Sequence, residues 1–95
     1  MPTSQTPPLK LLEKLCNAIA VSGDESEVRT IVMEEIKEYA DDVRVDALGS
    51  VLATRLGRGK KRVKVMLDAH MDEVGLMIVA DDGEGIYRFE EVGGI

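Results

Sequence analysis

The sequence contains one cysteine, Cys16, so no disulfide can form within the chain, which is typical of a protein from a reducing cytoplasm. No apolar run approaches the roughly 20 residues that span a bilayer, and the first residues lack the apolar core of a signal peptide. The 12 basic residues are outnumbered by 18 acidic ones, and the net charge of −6 argues against nucleic-acid binding, which needs a basic surface. We therefore expect a soluble, acidic, cytoplasmic protein that binds neither membranes nor nucleic acid.

The motifs of several common enzyme classes are also missing. No serine occupies a Gly-x-Ser-x-Gly turn, which argues against the nucleophile of an α/β-hydrolase. The glycine pairs within 57–59 and 83–85 lack the lysine and the following helix of a phosphate-binding loop. Cys16 lies on an apolar helical stripe, so we interpret it as a core residue. The residues left as candidates for chemistry are the acidic residues and the single histidine.

Apolar residues recur at three- and four-residue steps in two segments, which predicts two helices, over about 9–19 and 25–40. Between them, Ser22-Gly-Asp-Glu25 has the spacing of a capping box, which predicts that Ser22 caps the second helix. Residues 1–8 are polar and rich in proline, and we expect them to be a disordered tail in front of a structured segment over 9–95. The first third of the chain is thus predicted to be helical.

From residue 41 the apolar period changes from 3.6 to 2, which indicates strands. A hairpin is predicted from 43–45 and 51–56, and a second one from 76–80 and 86–92. Between them, the apolar run 63–69 follows a basic, glycine-containing loop and predicts a buried strand. The expected fold class is therefore α/β: two helices, then a hairpin and further strands.

The predicted strand 63–69 leads into the only histidine of the chain, in the sequence Asp68-Ala-His-Met-Asp-Glu-Val-Gly75. Side chains two apart on a strand share a face, so Asp68, His70 and Asp72 are expected to project together. Ligands gather at the carboxyl ends of strands in open α/β sheets. On spacing alone, a metal-binding role for His70 is as well supported as a structural one. Asp72 is placed to orient His70, or it is a turn aspartate.

The number of available ligands limits what the chain can do by itself. A catalytic zinc site takes three protein ligands, and a two-metal site takes more. The sequence has one histidine and one cysteine, and we interpret the acidic pairs 34–35 and 90–91 as solvated faces. The chain therefore supplies at most one strong ligand, and we expect it to be inactive alone.

Two helices followed by strands can cover only one face of a sheet, whereas α/β sheets are normally covered on both faces. One interpretation is a small α+β domain with one solvated face. The interpretation that we favour is that these residues are the front of a larger protein, incomplete on its own.

Four segments in this order resemble the N-terminal part of the glutamyl and deblocking aminopeptidases, a metallo-aminopeptidase family that forms tetrahedral particles. They begin at Leu11, Ala20, Asp46 and Ala69, and read Leu-Leu-Glu-Lys-Leu, Ala-Val-Ser-Gly-Asp-Glu, Asp-Ala-Leu-Gly-Ser and Ala-His-Met-Asp-Glu-Val-Gly. Ser50 departs from the pattern, where the family usually has asparagine in a turn. The resemblance implies a mixed-sheet zinc-peptidase domain, interrupted by a β-rich assembly domain that would begin near the end of the chain.

The resemblance also implies an activity and a site. The family hydrolyses N-terminal residues from peptides with two divalent metal ions, zinc or cobalt. The histidine matching His70 binds one of the ions, and the aspartate matching Asp72 is the carboxylate that supports the catalytic centre. The other ligands and the general base would lie further along, so this segment would need the remainder of its own catalytic domain. The resemblance further implies peptide substrates and a homo-oligomeric parent, such as a dodecamer.

Two alternatives remain open. A non-catalytic binding or interaction module could have kept the front end of the fold. Some relatives of the family carry a cellulase or endoglucanase label, and a carbohydrate hydrolase would need two carboxylates flanking a sugar cleft. The sequence singles out no such pair of carboxylates.

Overall fold

The computed structural model describes residues 8–95, so the tail predicted over 1–8 lies outside the described residues except for Pro8. Pro8 is the first residue of helix α1, where its missing N–H would have had no partner in any case. The elements, in chain order, are α1 Pro8–Asn17, α2 Ser26–Ile36, β1 Asp42–Val45, β2 Val51–Thr54, β3 Gly75–Asp81 and β4 Tyr87–Val92. The predicted α/β class is confirmed. No helix between residues 8 and 95 combines the length and apolar character needed to cross a membrane.

The core lies between the two helices and the loop that joins them. Its four buried residues are Ala18, Ala20, Val28 and Ile31. Partly buried apolar side chains pack against these four, and they are Leu11, Leu15, Val32 and Met71. Because Met71 follows His70 directly, the packing of Met71 on the helices places the histidine segment beside the α1–α2 loop.

The capping-box prediction is wrong. Helix α2 begins at Ser26, so its N-cap residue is Glu25 and not Ser22, and Glu25 makes no side-chain capping hydrogen bond. The Glu25 carboxylate instead accepts a hydrogen bond from the backbone N–H of Gly23, with 2.8 Å between N and Oε1. Ser22 is outside the helix, and its hydroxyl binds a residue distant in the sequence. The spacing alone could not separate a capping serine from one engaged in a tertiary contact.

Both predicted hairpins are confirmed. Strands β1 and β2 pair antiparallel, and the Asp46 carboxylate closes their turn by accepting the backbone N–H groups of Leu48 and Ser50, each at 2.9 Å. Strands β3 and β4 also pair antiparallel, with a register shift between Ile78 and Ala80. The two hairpins form separate two-stranded sheets.

The predicted buried strand 63–69 is wrong. No strand is assigned in this range, and its four large apolar residues, Val63, Val65, Met66 and Leu67, are each 80–94% exposed. A strand needs a neighbour that takes up its backbone N–H and C=O groups. Within residues 8–95, each strand of the two hairpins pairs only with its hairpin partner, and neither hairpin takes up the segment 63–69 at an outer edge. The large apolar side chains of this run are therefore not packed against the rest of the described chain.

Candidate functional site

The imidazole of His70 is hydrogen-bonded to Asp72. Nδ1 of His70 lies 2.8 Å from the backbone oxygen of Asp72 and 3.2 Å from its carboxylate Oδ1. The side chain of His70 is 85% exposed and that of Asp72 is 41% exposed. Residue 72 thus holds one ring nitrogen through two oxygens, while the rest of the ring faces outward.

These partners determine the tautomer of the ring. A backbone carbonyl can only accept a hydrogen bond, and so can an ionised carboxylate. Nδ1 must therefore carry the hydrogen, which leaves Nε2 of a neutral ring with a free lone pair. A histidine that binds a metal usually donates its other ring N–H to a carboxylate or carbonyl in this way. The hydrogen bonds of His70 thus fit a histidine that binds a metal ion through Nε2.

Asp72 has a second partner that the sequence reasoning missed. The hydroxyl of Ser22 donates to Oδ2 of Asp72 with 2.5 Å between the oxygens, across 50 residues of sequence. This hydrogen bond lowers the pKa of the Asp72 carboxyl below its usual value; partial loss of solvent opposes the effect, and the neighbouring His70 adds to it. Asp72 therefore stays a carboxylate at neutral pH, which agrees with its role as an acceptor for His70.

Backbone contacts hold the loop that carries Ser22 against the His70 segment. Val21 and Glu73 form a parallel bridge, and the N–H of Glu73 donates to the oxygen of Ala20 at 2.8 Å. Gly75 lies so close to Val21 that an added Cβ would overlap with Cγ1 of the valine. The absence of a side chain at residue 75 thus allows the two segments to come together.

Asp68 does not join this group. The prediction that Asp68, His70 and Asp72 share a face rested on strand alternation, and residues 68–72 are not a strand. Among residues 8–95, no group of three or more His, Cys, Asp or Glu side chains could hold a metal ion. The Ser-x-x-Glu spacing drew attention to Ser22 in the sequence, but it predicted a helix cap and not a contact with Asp72.

Comparison with known proteins adds to this geometry. The M42 glutamyl aminopeptidase family profile matches residues 49–95. An aminopeptidase homologue of Acetivibrio thermocellus is 46% identical over 85 residues, covering 90% of this chain and 25% of that protein. The lysyl aminopeptidase of Pyrococcus furiosus is 38% identical over 87 residues, covering 90% of this chain and 24% of that protein.

Among solved structures, the crystal structure of a TET aminopeptidase from the marine sediment archaeon Thaumarchaeota archaeon SCGC AB-539-E09 is similar with a TM-score of 0.77. It is 37% identical, and the match covers 90% of this chain and 24% of that one. The chain is similar to part of an M42-type aminopeptidase. The predicted resemblance is confirmed, and the chain spans about a quarter of the length of these relatives.

The M42 match includes the part of the site that carries the histidine. Residues 49–95 contain His70, Asp72 and the whole β3–β4 hairpin, whereas Ser22 precedes the matched range. Peptidases of the M42 family depend on metal ions. In the described chain, the His70–Asp72 pair agrees with this need for metal, because Asp72 holds Nδ1 of His70 and leaves Nε2 available as a ligand.

Proposed function

We propose that the protein is a metal-dependent aminopeptidase that hydrolyses N-terminal residues from peptides. The observation that carries the proposal is the His70 ring, whose Nδ1 is held by Asp72 while Nε2 is left free and exposed. The M42 match and the aminopeptidase relatives support the reaction class. We assign residues 9–95 to the N-terminal segment of the catalytic domain, before a β-rich insertion.

In this proposal His70 supplies one metal ligand through Nε2. A catalytic zinc site takes three protein ligands, and residues 8–95 contain no cluster of that size. The remaining ligands and the general base would come from other parts of the full-length protein, which in the relatives is about four times as long as the matched region. The 95-residue chain alone is therefore expected to be inactive.

Each residue of the pair has a distinct task. A bound divalent ion, zinc or cobalt, supplies Lewis acidity and lowers the pKa of a coordinated water, and we propose two such ions. His70 would hold one of them, and Asp72 would fix the orientation and the tautomer of the ring by accepting the Nδ1 hydrogen. Asp72 thus supports the catalytic centre through His70.

We further propose peptide substrates, a homo-oligomeric assembly such as a dodecamer, and a cytoplasmic location. The assembly is supported by similarity to the TET aminopeptidase structure, and the location by the single cysteine. Size-exclusion chromatography with light scattering on the full-length gene product tests the assembly. A monomeric product would contradict that part of the proposal.

The central experiment measures metal content and peptide cleavage of the full-length product of the gene, beside the 95-residue chain. We expect the full-length product to bind two zinc or cobalt ions and to release N-terminal residues from short peptides, and the 95-residue chain to do neither. His70→Ala should remove one ion and abolish cleavage.

Asp24→Asn serves as the control, because Asp24 is an exposed aspartate whose side chain makes no hydrogen bond to another described residue. It should keep the metal content and activity of the unmodified protein. A full-length product that binds no metal, or one that keeps both ions after His70→Ala, would contradict the proposal and favour a non-catalytic binding module.

A further inference from the structure

We propose that Ser22 is a positioning residue, which holds the carboxylate of Asp72 in the orientation that makes His70 a competent metal ligand. This inference rests on the proposed function, because it assigns a further residue to the same metal site. It also gives the loop between the two helices a role in the site, although that loop lies about 50 residues before the histidine segment.

The two oxygens of Asp72 face different partners. Oδ2 accepts the Ser22 hydroxyl at 2.5 Å, while Oδ1 lies 3.2 Å from Nδ1 of His70. Hydroxyl–carboxylate distances of about 2.5–2.7 Å are those of strong, charge-assisted hydrogen bonds. The terminal torsion of an aspartate is otherwise broad, so anchoring one oxygen restricts where the other can lie. Ser22 therefore keeps Oδ1 beside the histidine ring.

The hydroxyl can do this because the backbone beneath it is held in place. Ala20 is buried, and its oxygen accepts the N–H of Glu73 at 2.8 Å. On the other side of Ser22, the N–H of Asp24 donates to the oxygen of Val21 at 2.8 Å. Ser22 thus projects from a loop that is held by one hydrogen bond within the loop and by another to the His70 segment.

The Ser22 hydroxyl is also not needed to begin helix α2. The N-cap position belongs to Glu25, and the Glu25 carboxylate serves the N–H of Gly23. The side-chain hydrogen bond of Ser22 is directed to Asp72. Loss of the hydroxyl should therefore leave the helix start intact and act on the carboxylate.

A purely structural role is the competing explanation, in which the Ser22–Asp72 hydrogen bond only joins the loop to the histidine segment. Metal affinity separates the two explanations. A structural joint lowers the unfolding temperature without changing the affinity of the folded protein, whereas a positioning residue changes the affinity of the folded protein. Removing a residue that hydrogen-bonds to a metal-binding histidine typically weakens metal affinity about 10–100-fold.

The test uses the full-length gene product and measures the Kd of zinc by competition with a chromophoric chelator, with cobalt absorption as a second probe. One zinc ion is expected to be lost in His70→Ala, and we expect Ser22→Ala to raise the Kd of that same ion by about 10-fold. This is the lower end of the range of about 10–100-fold, because the backbone oxygen of Asp72 still holds the ring. Ser26→Ala is the control, because the Ser26 hydroxyl makes no hydrogen bond to any described residue.

A matched pair guards against misfolding of the alanine variant. Ser22→Thr and Ser22→Val have nearly the same shape, and only the threonine keeps a hydroxyl. We expect the threonine variant to bind zinc within about threefold of the unmodified protein and the valine variant to bind about 10-fold more weakly. Equal affinities in the two variants would overturn the proposal.

A double-mutant cycle tests whether Ser22 acts through Asp72. In an Asp72→Ala background, Ser22→Ala should have almost no further effect on the zinc Kd, because the side chain that Ser22 positions is gone. Additive effects would overturn the proposal. If His70→Ala leaves both ions bound at full affinity, the proposed function itself fails, whereas loss of an ion there with no effect at Ser22 overturns only the positioning role.

Discussion

Arg29 of helix α2 donates a hydrogen bond from Nε to the backbone oxygen of Gly49, with 2.8 Å between the two atoms. Gly49 lies in the turn of the first hairpin, so the Arg29 side chain links the second helix to the β1–β2 turn. The contact is partly buried. Two predictions concern this contact.

Replacing Arg29 by glutamine should loosen the β1–β2 hairpin from α2. The hydrogen bond comes from a charged, partly exposed donor, so we expect a loss of about 1 kcal/mol in local stability. Hydrogen-exchange mass spectrometry of the full-length gene product should show faster exchange in peptides covering 46–51. Arg55→Gln is the control, because Arg55 is exposed and makes no hydrogen bond to a described residue. Equal exchange in the two variants would contradict the assigned contact.

Gly49→Ala should destabilise the same turn for a different reason. Gly49 has φ of +88°, a backbone conformation that costs an L-residue roughly 1–2 kcal/mol. An added Cβ would also lie 2.7 Å from a guanidinium nitrogen of Arg29, which would have to move. Gly57→Ala is the control, since Gly57 has no positive φ and a Cβ there meets only ordinary contacts. A lower melting temperature for Gly49→Ala alone is the expected result.

Gly75→Ala should separate the Ser22 loop from the His70 segment. The added Cβ would overlap with Val21, and overpacking of this kind costs about 1–3 kcal/mol. We expect faster hydrogen exchange at Glu73, whose N–H donates to Ala20, together with weaker zinc binding if Ser22 positions Asp72. Gly94→Ala is the control, because no atom lies within 4 Å of its added Cβ. Unchanged exchange at Glu73 would contradict the close packing.

The 95-residue chain produced alone should associate in solution. Its apolar segment 63–67 is exposed, and contiguous apolar surface of this kind usually drives association. We expect sedimentation velocity to show species larger than a monomer as the concentration rises. Replacing both Val65 and Leu67 by lysine should reduce the association, whereas Lys60→Gln should not. A chain that stays monomeric and unfolds cooperatively at high concentration would contradict this prediction.

Local patterns in the sequence were sufficient for much of the fold. The apolar period of 3.6 indicated both helices, and the change to a period of two indicated both hairpins. These elements form most of their hydrogen bonds with residues nearby in sequence, so the information that defines them is local. The ordered segments ending in Ala-His-Met-Asp-Glu-Val-Gly also showed the resemblance to the M42 aminopeptidases and made His70 and Asp72 the candidate site residues.

The predictions that failed depended on distant partners. Ser22 has the spacing of a capping residue, but the folded chain directs its hydroxyl to Asp72, and no local rule includes a residue 50 positions away. The apolar run 63–69 has the composition of a buried strand, but a strand must pair with a neighbour, and in residues 8–95 the run pairs with neither hairpin and stays exposed. The sequence by itself determined the local elements and the residue types of the candidate site. Tertiary structure decided which side chain holds Asp72 and which apolar segment is buried, because those outcomes depend on contacts between segments far apart in the chain.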